Sequence, residues 1–151
     1  MSMQASDFIR PENAVLDLSA PTKAKVIEAI AKKAAAVLGI PDGVILEALL
    51  RRENLGSTGV GEGVAIPHAP IPGLVRPMGW LARLRKTVDF ESIDGLPVDV
   101  VLVLLTPADQ QKDHLNALAC VARRLRCQEV LQGIRAAKST EQLYAALTRE
   151  A

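Results

Sequence analysis

Residues 56–70 read Gly-Ser-Thr-Gly-Val-Gly-Glu-Gly-Val-Ala-Ile-Pro-His-Ala-Pro: four glycines within eight positions, then His68, one of the chain's two histidines, set among prolines. Glycine lets main-chain N–H groups approach a ligand closely because it carries no Cβ, so this run can hold something against its backbone. It is not a nucleotide phosphate loop of the G-x-x-x-x-G-K-[ST] kind, which is absent, and no lysine lies between Lys33 and Lys86 to serve one. Nor does Gly59-Val60-Gly61-Glu62-Gly63 have the dinucleotide spacing, and it precedes an apolar run instead of opening a helix. A metal centre fails on supply, since neither His68 nor His114 has a Cys or Glu at a recognised ligand spacing. No cofactor and no metal are therefore expected.

Chemistry on an imidazole is the remaining reading. A neutral histidine, with an ordinary pKa of about 6.5, is a competent nucleophile, and histidine is among the side chains that form covalent intermediates. A phosphoryl group suits the surroundings: Gly56, Ser57, Thr58, Gly59, Gly61 and Gly63 form a candidate phosphate loop, and a nearby guanidinium could share the phosphoryl charge. Arg51 and Arg52 both stand at the end of a helical pattern just upstream, and spacing does not choose between them. His114 follows Asp113 where a helix begins, a place whose unpaired N–H groups favour anions, so it is a candidate second contact. The plainer alternatives are an exposed first-turn histidine at 114 and, at 68, a histidine that merely ends a strand.

The elements that must position these residues follow from periodicity. Val26, Ile30, Ala34 and Val37 predict a helix capped by Thr22 and stopped by Gly39. Val44, Ile45, Ala48, Leu49 and Leu55 predict a second from Asp42 to Asn54, closed by Gly56. Val64 to Ile66 reads as a short strand ending at Pro67 and His68, and the prolines from there to Pro77 predict a stiff loop. Gly79 to Arg85 alternates, with Trp80, Ala82 and Leu84 on one face of a half-buried strand. Asp94-Gly95 marks a turn, and Val98 to Thr106 is apolar enough for a central strand covered on both faces, ended by Pro107. Asp113 to Arg126 carries a helical stripe of Leu115, Leu118, Ala122 and Leu125, and two shorter helices follow over 130–137 and 140–147. This order predicts an α/β domain with a mixed sheet sandwiched between helical layers and helices at both ends.

At 151 residues the chain fits one domain, 1–151, with an ordinary hydrophobic fraction of 49% and charged fraction of 23%. A formal net charge of +1 and 3% aromatics give no reason to expect nucleic acid. The amino terminus has no signal-like apolar region and the longest apolar run, Val100 to Leu105, is too short for membrane insertion, so a cytoplasmic protein is expected. Cys120 and Cys127, seven apart on one predicted helix and so about 10 Å apart along its axis, are too distant for a disulfide and read as core thiols.

The stretch from Arg52 to His68, RENLGSTGVGEGVAIPH, resembles the active-site signature of the fructose/mannitol-type enzyme IIA of the bacterial phosphoenolpyruvate-dependent phosphotransferase system. Asp94-Gly95-Leu96-Pro97-Val98-Asp99 and the segment from Thr106 to Leu115 resemble the same family's second block, and the resemblance covers about Leu18 to Leu147. The segment PADQQKDHLNALACVARRL is more similar to the nitrogen-regulatory branch than to the sugar-uptake branch. Ala69-Pro70-Ile71-Pro72 departs from the Gly-Lys typical of nitrogen-regulatory members. The resemblance implies that His68 is the phosphoryl-accepting nucleophile, through Nε2, that Arg52 and not Arg51 is the active-site arginine, and that His114 is the second, supporting histidine. It implies an HPr- or NPr-like phosphocarrier as donor and regulated targets such as transporters or sensor kinases. A sugar-specific enzyme IIA passing phosphate to a IIB component, and a phosphate-independent protein-binding module, are the competing expectations.

Overall fold

The computed structural model describes residues 3–149. After two short 3-10 turns the described chain runs β1 (Ala14–Leu18), α1 (Lys23–Leu38), α2 (Asp42–Leu55), β2 (Gly59–Gly61), β3 (Val64–Ala65), β4 (His68–Ile71), β5 (Met78–Val88), β6 (Val98–Pro107), α3 (Gln111–Arg126), α4 (Gln128–Ala136) and α5 (Thr140–Thr148). The sheet order is β1-β5-β6-β3-β2, with β4 also bonded to β6. β1 lies parallel to β5, and β3 and β4 lie parallel to β6, while β5/β6 and β2/β3 are antiparallel. The expected mixed sheet is therefore present.

β6 divides the interior in two. Val101, Val103 and Leu105 point into one core with Ile27 and Ile30 of α1 and Ile45 and Leu49 of α2. Val100, Leu102 and Leu104 point into the other with Val121 and Leu125 of α3, Ile134 of α4 and Leu143 of α5. A strand with period two that is apolar at every step is the signature of a sheet covered on both faces. Each such side chain taken from water contributes about 1.5–3 kcal/mol. This is the predicted sandwich, α1 and α2 on one face and α3 to α5 on the other.

Local signals fix the helix ends. Thr22 Oγ1 accepts from Lys25 N at 3.2 Å to cap α1, and Gly39 terminates it in the left-handed region at φ 70°. α2 begins at Asp42 as predicted, but only Ile45 and Leu49 of its expected stripe are buried, and Val44 and Leu55 are exposed. In α3 the buried set is Ala117, Cys120, Val121 and Leu125, so Leu115 lies outside the stripe and faces solvent.

Four sequence expectations need correction. The predicted stiff loop after Pro67 opens with a strand: β4 pairs residue by residue with 104–107, and Pro70 is tolerated because its position is exposed on a short strand. The first half of β5 is buried on both faces, with Leu81 opposite Trp80 and Ala82, because β1 and β6 flank it and helices cover it on either side. The described chain opens with turns and β1 instead of a helix; Ala14–Leu18 is a strand through its parallel pairing to β5. Cys127 is no core thiol: α3 stops at Arg126, and Cys127 is the exposed junction to α4, while Cys120 is buried.

Candidate functional site

The register of β4 on β6 assembles the site. His68 stands beside Leu104 and Pro70 beside Thr106. Ala69 and Ile71 enter the α1/α2 core. By alternation, His68 therefore shares the opposite face of the sheet with Leu104 and Thr106, the face that α3 covers. His114 lies in the first turn of α3, and its ring centroid is 5.6 Å from that of His68, the planes tilted by 53°. Forty-six positions of sequence thus close into one imidazole pair.

Each ring is held by its Nδ1. His68 Nδ1 lies 2.7 Å from the carbonyl oxygen of Ile66, which can only accept, so Nδ1 carries the proton and Nε2 keeps the lone pair. His114 Nδ1 lies 2.6 Å from Thr106 Oγ1. Burial pushes the His68 pKa below its usual 6.5; the Ile66 contact opposes this, while Arg52 and His114 add to the lowering and Glu53 opposes it. The His114 pKa is also lowered, by burial first and then by the Arg52 charge. Both rings are therefore neutral at pH 7.

Arg52 and Arg51 part company at the end of α2. Arg51 points outward and pairs with Glu47 at 2.6 Å, one turn back on the exposed surface. Arg52 Nη1 donates to the carbonyl of Gly56 at 2.9 Å, and its charge reaches both imidazoles. Arg52, His68 and His114 are thus brought together.

Part of the glycine loop is bonded within the protein. Thr58 N donates to Glu53 Oε2, Gly59 N to Ser57 Oγ, and Glu62 N to Asp94 Oδ2, so these N–H groups are bonded within the protein. A Cβ on Gly59 would stand 3.0 Å from Cα and 2.9 Å from Cβ of Ser92, and one on Gly63, at φ 82°, would meet Arg135 and Asp99. The glycines let the β2/β3 hairpin lie against the 92–95 turn. There the Asp94 carboxylate, held below the usual range chiefly by the N–H groups of Glu62 and Leu96, ties the hairpin down.

Glu53 and Thr106 are the residues that sequence reasoning missed. Glu53 is buried and accepts from Thr58 N and Thr58 Oγ1 while pairing with Lys23 Nζ at 2.9 Å. Lys23 Nζ and Ser57 Oγ both donate to the Phe90 carbonyl. One carboxylate thereby joins α1, α2 and the entry to the loop. Glu53→Ala is expected to lower unfolding stability by about 3 kcal/mol, since it leaves the buried Thr58 donors without an acceptor. Glu53→Gln, keeping one acceptor oxygen, should lose less, and urea unfolding of the two variants checks the order. An alanine variant within about 0.5 kcal/mol of the unaltered protein would remove Glu53 as the tie. The clue was a carboxylate beside Arg52 on an amphipathic helix, but nothing in the spacing marks it as buried.

No group of three or more His, Cys, Asp or Glu among the described residues could hold a metal ion, and no helix there is long and apolar enough to cross a membrane.

The fold is that of enzyme IIA structures of the phosphotransferase system. It is similar to the nitrogen regulatory protein IIA-Ntr of Neisseria meningitidis, 30% identical with a TM-score of 0.89 over 95% of this chain and 98% of that one. IIA mannitol of Escherichia coli shares the fold at 20% identity and a TM-score of 0.74, over 92% and 98% of the two chains. The chain belongs to the EIIA 2 family of the phosphoenolpyruvate-dependent sugar phosphotransferase system, whose family model matches residues 7–150. In sequence it is similar to a nitrogen regulatory protein of Bradyrhizobium diazoefficiens, 42% identical over 145 residues, 96% of this chain and 95% of that relative.

Proposed function

We propose that this chain is a nitrogen-regulatory enzyme IIA that carries a phosphoryl group on His68 Nε2 and controls partner proteins by its phosphorylation state. The observation that carries the reading is the imidazole pair: His68 is neutral, has Nδ1 tied to a carbonyl and Nε2 left as a lone pair, and faces His114 within reach of the Arg52 charge. His68 Nε2 attacks the phosphorus of a phosphohistidine on an HPr- or NPr-like carrier whose ring is protonated on its other nitrogen; the new N–P bond forms as the carrier's breaks, the carrier leaves as a neutral imidazole, and the positive charge passes to the His68 ring, whose Nδ1–H stays on the Ile66 carbonyl. Arg52 and a donor on His114 offset the charge on the transferring oxygens. The similarity to nitrogen regulatory proteins over nearly the whole chain favours regulation over delivery to a sugar-specific IIB component.

A phosphoryl group with about two negative charges on its oxygens would stand beside exposed Leu55 and Leu115, which adjoin the site in the chain. A face of that kind can gain or lose a partner when its charge changes, which suits targets such as transporters or sensor kinases. The test is incubation of the purified protein with phosphoenolpyruvate, enzyme I and carrier. The expected product is one acid-labile phosphate per chain, with nitrogen-15 spectra placing it on His68 Nε2. Label on His114 or on a hydroxyl would overturn the assignment, and efficient onward transfer to a sugar IIB protein would favour the sugar-uptake reading.

A further inference from the structure

Thr106 is the penultimate residue of β6, an otherwise largely apolar strand, and its hydroxyl is completely buried. Among the described residues Oγ1 has a single hydrogen-bond partner, His114 Nδ1 at 2.6 Å. Two proton arrangements fit that distance. If Nδ1–H donated to Oγ1, the hydroxyl proton would be left buried with no acceptor, which native interiors avoid. If Oγ1–H donates to Nδ1, the one buried donor meets the one available lone pair, and the imidazole proton must sit on Nε2. A threonine in place of the carboxylate or carbonyl that usually orients a functional histidine reverses the usual outcome, because those groups accept and would draw the proton to Nδ1.

We propose that Thr106 is a positioning residue that fixes His114 as the Nε2–H tautomer and so makes it a donor toward the phosphoryl group on His68. The two rings of the site are then opposite tautomers: Ile66 O accepts a hydrogen bond from His68 Nδ1–H and leaves Nε2 a nucleophile, while Thr106 Oγ1–H donates a hydrogen bond to His114 Nδ1 and leaves Nε2–H a donor. His114 is also neutral at pH 7, its pKa being lowered by burial and by Arg52, so the choice of tautomer decides what it can offer. The consequence for transfer rests on the phosphohistidine reading above; the tautomer itself does not.

Long-range proton–nitrogen spectra of the full chain at pH 7.5 distinguish the tautomers directly. A pyrrole-type signal at His114 Nε2 and a pyridine-type signal at Nδ1 are expected in the unaltered protein and in Thr106→Ser. In Thr106→Val the Nδ1–H form should gain population, and phosphoryl uptake should slow by at least about tenfold with the carrier KM unchanged; Thr106→Ser should restore the rate. A pyrrole-type Nδ1 in the unaltered protein overturns the proposal without any variant having to fold, and so does a Thr106→Val protein whose tautomer and rate are both unmoved. Failure of the unaltered protein to accept phosphate would count against the phosphohistidine reading alone, since the spectra still decide the role of Thr106.

Discussion

A His68→Ala protein supplied with phosphoenolpyruvate, enzyme I and carrier is expected to take up no acid-labile phosphate, whereas His114→Ala is expected to be labelled at a rate about 10²-fold lower than the unaltered protein. The two rings are near neighbours of similar charge, so the asymmetry must come from what holds each Nδ1. The Ile66 carbonyl has no proton to give, so the His68 Nε2 lone pair is available whenever the ring is neutral. Removing it removes the acceptor atom. Removing His114 leaves the N–P bond free to form and costs only a hydrogen bond to the moving charge. Label uptake over minutes, with circular dichroism to show that both variants fold, measures the difference; equal labelling of His68→Ala would sink the assignment.

The same geometry sets a pH profile. Because burial and then Arg52 hold the His68 pKa below its usual value, the neutral nucleophile outlasts a free imidazole as pH falls. More than half of the rings are neutral at the ordinary midpoint of 6.5. The acid limb of the uptake rate should therefore fall below 6.5, and a midpoint above it would mean that the protein stabilises the imidazolium.

How far the sequence led depends on whether a residue acts through local or distant neighbours. Thr22 and Gly39 were legible because caps act within one turn, and Val98–Thr106 because a strand buried on both faces must be apolar throughout. His68 stood out as a candidate because the glycine-rich sequence before it can bring backbone N–H groups close to a ligand, and the family resemblance chose Arg52. β4 was not legible, since its pairing is supplied by β6 more than thirty residues later and its prolines argue against it locally. Thr106 was hidden for the opposite reason: a threonine at the end of a β-branched run looks like strand propensity, and only the third dimension shows its hydroxyl aimed at an imidazole. The glycines permit close approach. What comes close to Gly59 and Gly63 is the protein's own turn and Arg135, which spacing cannot tell from a ligand.

Arg52→Ala is expected to slow phosphoryl uptake by about 10²-fold or more, and Arg51→Ala to leave it within about twofold, although the two residues are adjacent and chemically identical. Arg51 forms an exposed pair with Glu47, the kind of contact worth at most about 1 kcal/mol to stability and nothing to a site it does not face. Arg52 is anchored on the Gly56 carbonyl and places its charge where it depresses both imidazole pKa values. That last fact supplies a readout independent of turnover. Removing the Arg52 charge should raise the titration midpoints of His68 and His114 together in proton spectra, while Arg51→Ala should move neither. Arg52→Lys keeps the charge but loses the planar fork that can bind two phosphoryl oxygens at once, so it should restore the midpoints better than the rate. Equal rate losses in the two alanine variants, or unmoved histidine midpoints in Arg52→Ala, would show that the transferring charge is met by some other group. A loss in Arg52→Ala accompanied by a lowered melting temperature would be separated from a charge effect by the lysine variant, because a loosened Gly56 loop would not be expected to restore the imidazole titrations.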